Sequence, residues 1–267
     1  AGRHNAPRGL PDSTGMPQVF VDQLIIQPFN DLEVIEKTIR ERHFEIAAVL
    51  IEPALANCGV IPPVEGYLEG LRKITEQYGV LLIFDEVMTG FRIAPGGAQE
   101  YYNIKPDIST FAKVLGGGFP AACFGGTKEV MEIEAKNEVM HGGTYTASPL
   151  VLAAADAVLK RIERDKETMY PRLFELSERL RDGLVRVIRD AGFHCFGQGI
   201  GPLFQVFIGD SDIDRLYNYR DTVNYVRDDI FSAFHKEMQK RGIYHHPGQF
   251  ERWFLSTEHT DQDIDDT

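Results

Sequence analysis

Two unbroken apolar runs, each closed by an acid, constrain the fold of this chain more than any other feature. "IAAVLIEP" (46–53) ends in Glu-Pro, and "VLLIFDE" (80–86) ends in Asp85 and Glu86. A strand with one face in water alternates apolar and polar residues, whereas a run apolar at every position is buried on both faces. Between the runs lies "PPVEGYLEGLRKITEQYG" (62–79), a helix with proline at its start and Gly79 as its C-cap. Ahead of them, "DLEVIEKTIRERHF" (31–44) carries apolar residues at helical spacing behind an Asn-Asp start. "PDISTFAK" (106–113) and "AACFGG" (121–126) read as two further strands. This alternation predicts an α/β fold on a mostly parallel sheet with flanking helices on both faces.

From about residue 149 the pattern changes. "SPLVLAAADAVLKRIER" reads as a long helix, followed by a second in "YPRLFELSERLRDGLVRVIRDAG". Two short strands joined through glycines fit 193–209, a helix fits 221–241, and "RWFLST" is a last strand. The expected organisation is a core over 1–155 and a smaller C-terminal α+β domain over 156–267, with the long helix as connector. The 267 residues, 43% of them hydrophobic, allow a substantial core.

A net charge of −12 disfavours nucleic acid as a partner, because an acidic surface repels phosphate backbones. No apolar run approaches the roughly 18 residues of a transmembrane helix, so no membrane partner is expected. Cys58, Cys123 and Cys195 lack metal-like spacing and fit a reduced, cytoplasmic protein. His141, His245 and His246 are not expected to hold a metal. The adjacent pair points in different directions, and no acid or cysteine completes a set. The chain begins without Met and stops at "TDQDIDDT", the acidic first turn of a helix, so both ends read as cut and a plastid address stays open.

In doubly wound sheets, ligands sit beyond the carboxyl ends of the strands. Those ends carry Glu52, Asp85 and Lys113. Taken singly, Asp85 reads as a strand-end cap and Lys113 as a solvated loop lysine. Taken together they fit pyridoxal 5'-phosphate, which needs a lysine for its Schiff base and an acid against its ring nitrogen. Lys113 also precedes "GGGFP", where glycines let backbone approach a ligand closely. That run lacks the Gly-x-x-x-x-Gly-Lys-Ser/Thr order of a nucleotide loop.

The stretch "LLIFDEVMTGFRIAPGGAQEYYNIKPDISTFAKVLGGGFPAACFGG" (81–126) resembles the core of the class III (subgroup II) pyridoxal-phosphate aminotransferases. Within them it is most similar to the glutamate-1-semialdehyde 2,1-aminomutases. The likeness runs from "GLPDSTGMP" through "IEPALANCG" and "HGGTYTASP" to "GIYHHPGQFE". It implies a fold-type I enzyme that moves an amino group between a small amine or amino acid and a carbonyl acceptor, in a ping-pong cycle on a lysine Schiff base. Lys113 matches the Schiff-base lysine and Asp85 the ring-nitrogen acid. Val87 matches the side chain on one ring face, Asn57 and Glu52 a motif near the ring's 3' oxygen, and Glu251 an acid by the substrate pocket. Thr144 matches a threonine that reaches the cofactor of the neighbouring subunit, which implies a homodimer.

The family pattern also includes an N-terminal part of about 150 residues, with a phosphate-holding loop, that has no counterpart in this sequence. The chain therefore reads as a fragment. Two local departures bear on the substrate. Arg3, in the segment matching the mobile active-site loop (1–17), stands where aminomutases carry a small hydroxyl residue, and an arginine there suits a substrate carboxylate. "YTASP" follows Gly-Gly-Thr in place of Leu-Ser-Gly-Asn-Pro. Both point away from the aminomutase, whose transfer is intramolecular, and towards a transaminase of a β-amino acid or an ω-amine. A truncated, inactive paralogue serving as an assembly partner is the non-enzymatic alternative.

Overall fold

The computed structural model describes residues 9, 11 and 13–267. After a short helix α1 (Gln18–Val21), the chain runs through α2 (Leu32–Arg42), β1 (Ala48–Ile51), α3 (Tyr67–Tyr78), β2 (Leu81–Asp85), α4 (Gly97–Tyr102) and β3 (Ile108–Phe111). Asp31 caps α2 by accepting from Val34 N at 3.1 Å. Gly79, in the left-handed region, closes α3 as expected. The three strands are parallel in the order β1-β2-β3, and β4 (Cys123–Gly126) adds antiparallel to β3. The register sets Ile51 beside Phe84 and Asp85 beside Thr110, so the strands end at one common edge.

The helices α2 and α3 bury Ile35, Ile39, Leu68 and Leu71 against Leu82 and Phe84. The two faces of the sheet are covered unequally. Leu50 of β1 is 67% exposed, so its side of that strand is not packed by the described residues.

Beyond α5 (Lys128–Ala135), one helix α6 (Pro149–Asp190) of 42 residues replaces the expected pair, and the boundary expected after residue 155 falls inside it. Pro171 removes one backbone hydrogen bond, which normally breaks a helix. Tertiary contacts on both sides hold the axis through it: Tyr170 donates to Phe91 O at 2.9 Å, and Leu173, Leu176 and Leu180 enter the core of the second sheet. That sheet is antiparallel, β5 (His194–Ile200), β6 (Leu203–Gly209) and β7 (Trp253–Phe254), in sequential order.

The expected helix 221–241 is also corrected, since α7 (Tyr219–Tyr225) and α8 (Asp228–Lys240) are separate. Val226 is extended and bridges Gly209, while Arg227 N donates to Ile208 O at 2.9 Å, so the edge of β6 captures two residues that helical periodicity assigns to a helix. The last strand is two residues long rather than six. The chain closes with α9 (Asp261–Asp266), capped by Thr260.

Residues 54–61 join the two sheets. Ala54 packs with Ile200, Ala56 and Val60 with Leu203, and Ile61 with Phe207. Gln198 donates to Val60 O at 2.9 Å and Thr222 to Cys58 O at 2.9 Å. Gly59, at φ +74, lies so close to Phe207 that a Cβ would stand 2.1 Å from its ring. This segment brings the end of β1 against the residues around β7.

Candidate active site

The two acids that close β2 part company. Glu86 is fully buried, accepting from Thr89 Oγ1 at 3.0 Å, Ala98 N at 2.5 Å and Gln99 N at 3.2 Å. It caps the first turn of α4, where unpaired N–H groups favour a carboxylate. Asp85 is half-buried at the sheet edge. Its Oδ1 accepts from Val87 N at 3.0 Å and Thr110 Oγ1 at 3.3 Å. Its Oδ2 accepts no hydrogen bond from the described residues, so one oxygen is held in place and the other is unengaged.

Lys113 follows β3 at φ +48, a left-handed conformation that is costly for a lysine and places it at the start of a tight 3-10 turn. Its Nζ lies 2.7 Å from the sulfur of Met88. Burial, then the charges of Arg252 and Arg92, lower its pKa, while Asp85 and Glu52 act against them. Glu52 is half-buried and accepts from Ala56 N at 3.1 Å; burial raises its pKa, and the nearby charge of Asp85 adds to the rise.

The structure adds three residues that the sequence reading passed over: Met88, Arg92 and Arg252. The Arg252 side chain, 8% exposed, pairs with Glu251 and donates to Asn57 Oδ1, and its Nη2 lies 3.3 Å from Met88 Sδ. Arg92 donates from Nε to Met88 O at 2.9 Å, and burial, reinforced by Arg252, pushes its pKa down to about 10. Both guanidinium groups rest on Phe254, at 4.5 Å for Arg92 and 5.1 Å for Arg252. Arg92 lies within the motif that carries Asp85, and Arg252 directly follows Glu251; those adjacencies were the available signals.

Of the expected site residues, Glu52, Asp85, Val87 and Lys113 meet at the carboxyl edge, and Asn57 and Glu251 join them through Arg252. Thr144 sits on an exposed loop, and no hydrogen bond ties it to the edge. Arg3 lies outside the described residues. No group of three or more His, Cys, Asp or Glu side chains comes together among the described residues, and none of their helices is long and apolar enough to cross a membrane. His141 instead pairs with Glu134 at 2.6 Å.

A family model described as "Aminotransferase class-III" matches residues 10–199. The chain belongs to the class III aminotransferase family. Among solved structures, an ω-transaminase from Sphaerobacter thermophilus is 32% identical, with a TM-score of 0.87 over 96% of this chain and 57% of that one. A β-phenylalanine aminotransferase from Variovorax paradoxus is 30% identical, with a TM-score of 0.80 over 91% and 55%. A glutamate-1-semialdehyde aminomutase from Pseudomonas aeruginosa shares the fold at 24% identity, with a TM-score of 0.82 over 95% and 57%. The chain thus spans little more than half the length of these relatives.

Aminotransferases of this class depend on pyridoxal phosphate, and the donor set at the edge fits that group. The unengaged Oδ2 of Asp85 suits a protonated ring nitrogen, and Lys113 offers an amine with no carboxylate paired to it among the described residues.

Proposed function

We propose that the protein containing this chain transfers an amino group from an amine or amino acid to a separate carbonyl acceptor, using pyridoxal phosphate. The carrying observation is the pairing, at one strand edge, of a carboxylate with a free oxygen and a lysine amine whose charged form is disfavoured. Asp85 holds the ring nitrogen, Val87 packs on one ring face, and Glu52 and Asn57 stand by the ring's 3' oxygen. The bound cofactor supplies the electron sink that lets a proton leave the amine-bearing carbon. Lys113 Nζ takes that proton and returns it, work suited to an amine whose surroundings lower its pKa.

Identities of 32% and 30% to an ω-transaminase and a β-phenylalanine aminotransferase, against 24% to an aminomutase, support transfer between two molecules. The ion pair of Glu251 with Arg252 supports the same reading, because it engages the acid that the aminomutase likeness places by the substrate. A second copy of the chain covers the loop bearing Thr144, whose neighbours Met140 and Tyr145 are 94% and 87% exposed. The three cysteines are unpaired, which fits a reducing, cytoplasmic setting.

The test is borohydride reduction of the whole protein with pyridoxal phosphate, followed by peptide mass mapping. A pyridoxyl mass on the peptide carrying Lys113, lost in Lys113→Ala, is expected. Labelling spread over surface lysines, with no amino transfer from any donor in a panel, would overturn the proposal in favour of an assembly partner.

A further inference from the structure

We propose that Arg92 anchors a substrate carboxylate, so that the site selects amino and oxo acids over simple amines. The inference rests on the amino-transfer reading for its substrate class, but its geometry is independent of that reading.

Three cations converge on Met88. Lys113 Nζ and Arg252 Nη2 approach its sulfur at 2.7 and 3.3 Å, and Arg92 Nε donates to its carbonyl at 2.9 Å. A thioether is a weak acceptor and neutralises none of them. None of the nearby acids pairs with Arg92. Glu251 pairs with Arg252, Glu52 accepts from Ala56 N, and Asp85 is oriented by Val87 and Thr110. Arg92 is the guanidinium left over, with no carboxylate partner among the described residues.

Its surroundings do not supply the missing charge. The face of Phe254 attracts cations, yet Arg92 at 4.5 Å and Arg252 at 5.1 Å share that one ring and repel each other. Burial and this repulsion both work against the charge on Arg92. A charged group kept in such a place, next to the reactive amine, marks a site built to receive the opposite charge. The orientation agrees. Nε is fixed on Met88, while Nη1 and Nη2 make no hydrogen bond to the described residues, so the outer edge of the fork is available for two parallel bonds to a carboxylate. Arg252, already holding Glu251 and Asn57, supports the anion electrostatically.

The experiment uses the whole protein loaded with cofactor and compares the wild type with Arg92→Met and Arg92→Lys. Calorimetry with acetate, 3-phenylpropanoate and glutarate reads binding without turnover. At least one carboxylate is expected to bind the wild type, with affinity falling about 10- to 100-fold in Arg92→Met and by an intermediate factor in Arg92→Lys, which keeps the charge but not the fork. In turnover, β-phenylalanine should lose a similar factor in kcat/KM relative to 1-phenylethylamine, the same donor without its carboxylate, which carries alone the effect of the lost charge on Lys113. Equal binding by wild type and Arg92→Met, no carboxylate binding at all, or an equal loss for both donors would overturn the assignment. Failure of borohydride trapping at Lys113 would remove the amino-transfer reading while leaving the calorimetric result interpretable.

Discussion

The amine of Lys113 rests 2.7 Å from the sulfur of Met88, and no carboxylate among the described residues forms an ion pair with it. With burial and two arginines disfavouring its ammonium form, the proton leaves Lys113 at a lower pH than the ordinary lysine value of about 10.4. Reaction of Lys113 with an amine-directed reagent should therefore rise through a midpoint below that value. Arg252→Met removes the larger of the two opposing charges and should move the midpoint upward, towards ordinary lysine. Peptide-resolved labelling across pH checks both; a midpoint unmoved by Arg252→Met would mean that the arginines do not tune this amine.

Asp85 and Glu86, adjacent in sequence, should separate cleanly on mutation. Glu86→Gln puts an amide donor against the N–H groups of Ala98 and Gln99 inside the core and should cost about 2–4 kcal/mol of stability. Gly97→Ala should also destabilise, since at φ +69 its Cβ would stand 2.2 Å from Glu86 Oε2. Asp85→Asn keeps one oxygen for Val87 N and Thr110, so it should change stability by less than about 1 kcal/mol while lowering turnover at least about 100-fold. Urea titrations and donor kinetics on the same three variants provide the comparison.

What could be read in the sequence follows from what is local. The strands β1 and β2 were legible because each is a short apolar run, and the ends of the three expected strands named Glu52, Asp85 and Lys113 without any tertiary information. The break at Val226 was not legible, because the edge of β6 causes it from 17 residues away. Pro171 misled for the same reason: the contacts that carry α6 through it belong to other elements. Arg92 and Arg252 belong to one site only because residues 54–61 pull β7 against the sheet edge, and no spacing in the sequence encodes that approach.

That bridging segment yields its own expectation. Gly59→Ala needs both a left-handed backbone and the displacement of Phe207, so it should destabilise by about 2–4 kcal/mol. The loss should spread to the site, because Gly59 N donates to Phe250 O at 2.7 Å, two residues before Arg252. A variant with reduced stability but unchanged carboxylate binding would show that β7 holds its position without this contact.

Acid should weaken the fold through His245. Its ring is buried, stacked on Trp253 at 4.5 Å and packed against Phe231, Phe234 and the ring of His235 on α8. Nδ1 is turned to the carbonyl of His246 at 2.9 Å, and Nε2 is buried without a partner among the described residues. Burial, opposed by that one hydrogen bond and reinforced by the charges of His235 and His246, pushes its pKa down to about 4. The unfolded chain protonates near the ordinary histidine value of about 6.5, so it binds the extra proton first as pH falls. The contribution to stability is therefore complete above that value, declines between it and pH 4, and levels off below, for a total of up to about 3 kcal/mol. His245→Phe, which keeps an aromatic ring on Trp253 and cannot protonate, should flatten this part of the profile. Since Trp253 adjoins Arg252, carboxylate affinity should fall over the same window in the wild type and fall less in the variant. Urea midpoints and calorimetry between pH 7 and 4.5 test the pair of effects; a profile equally steep in both proteins would assign the acid sensitivity elsewhere.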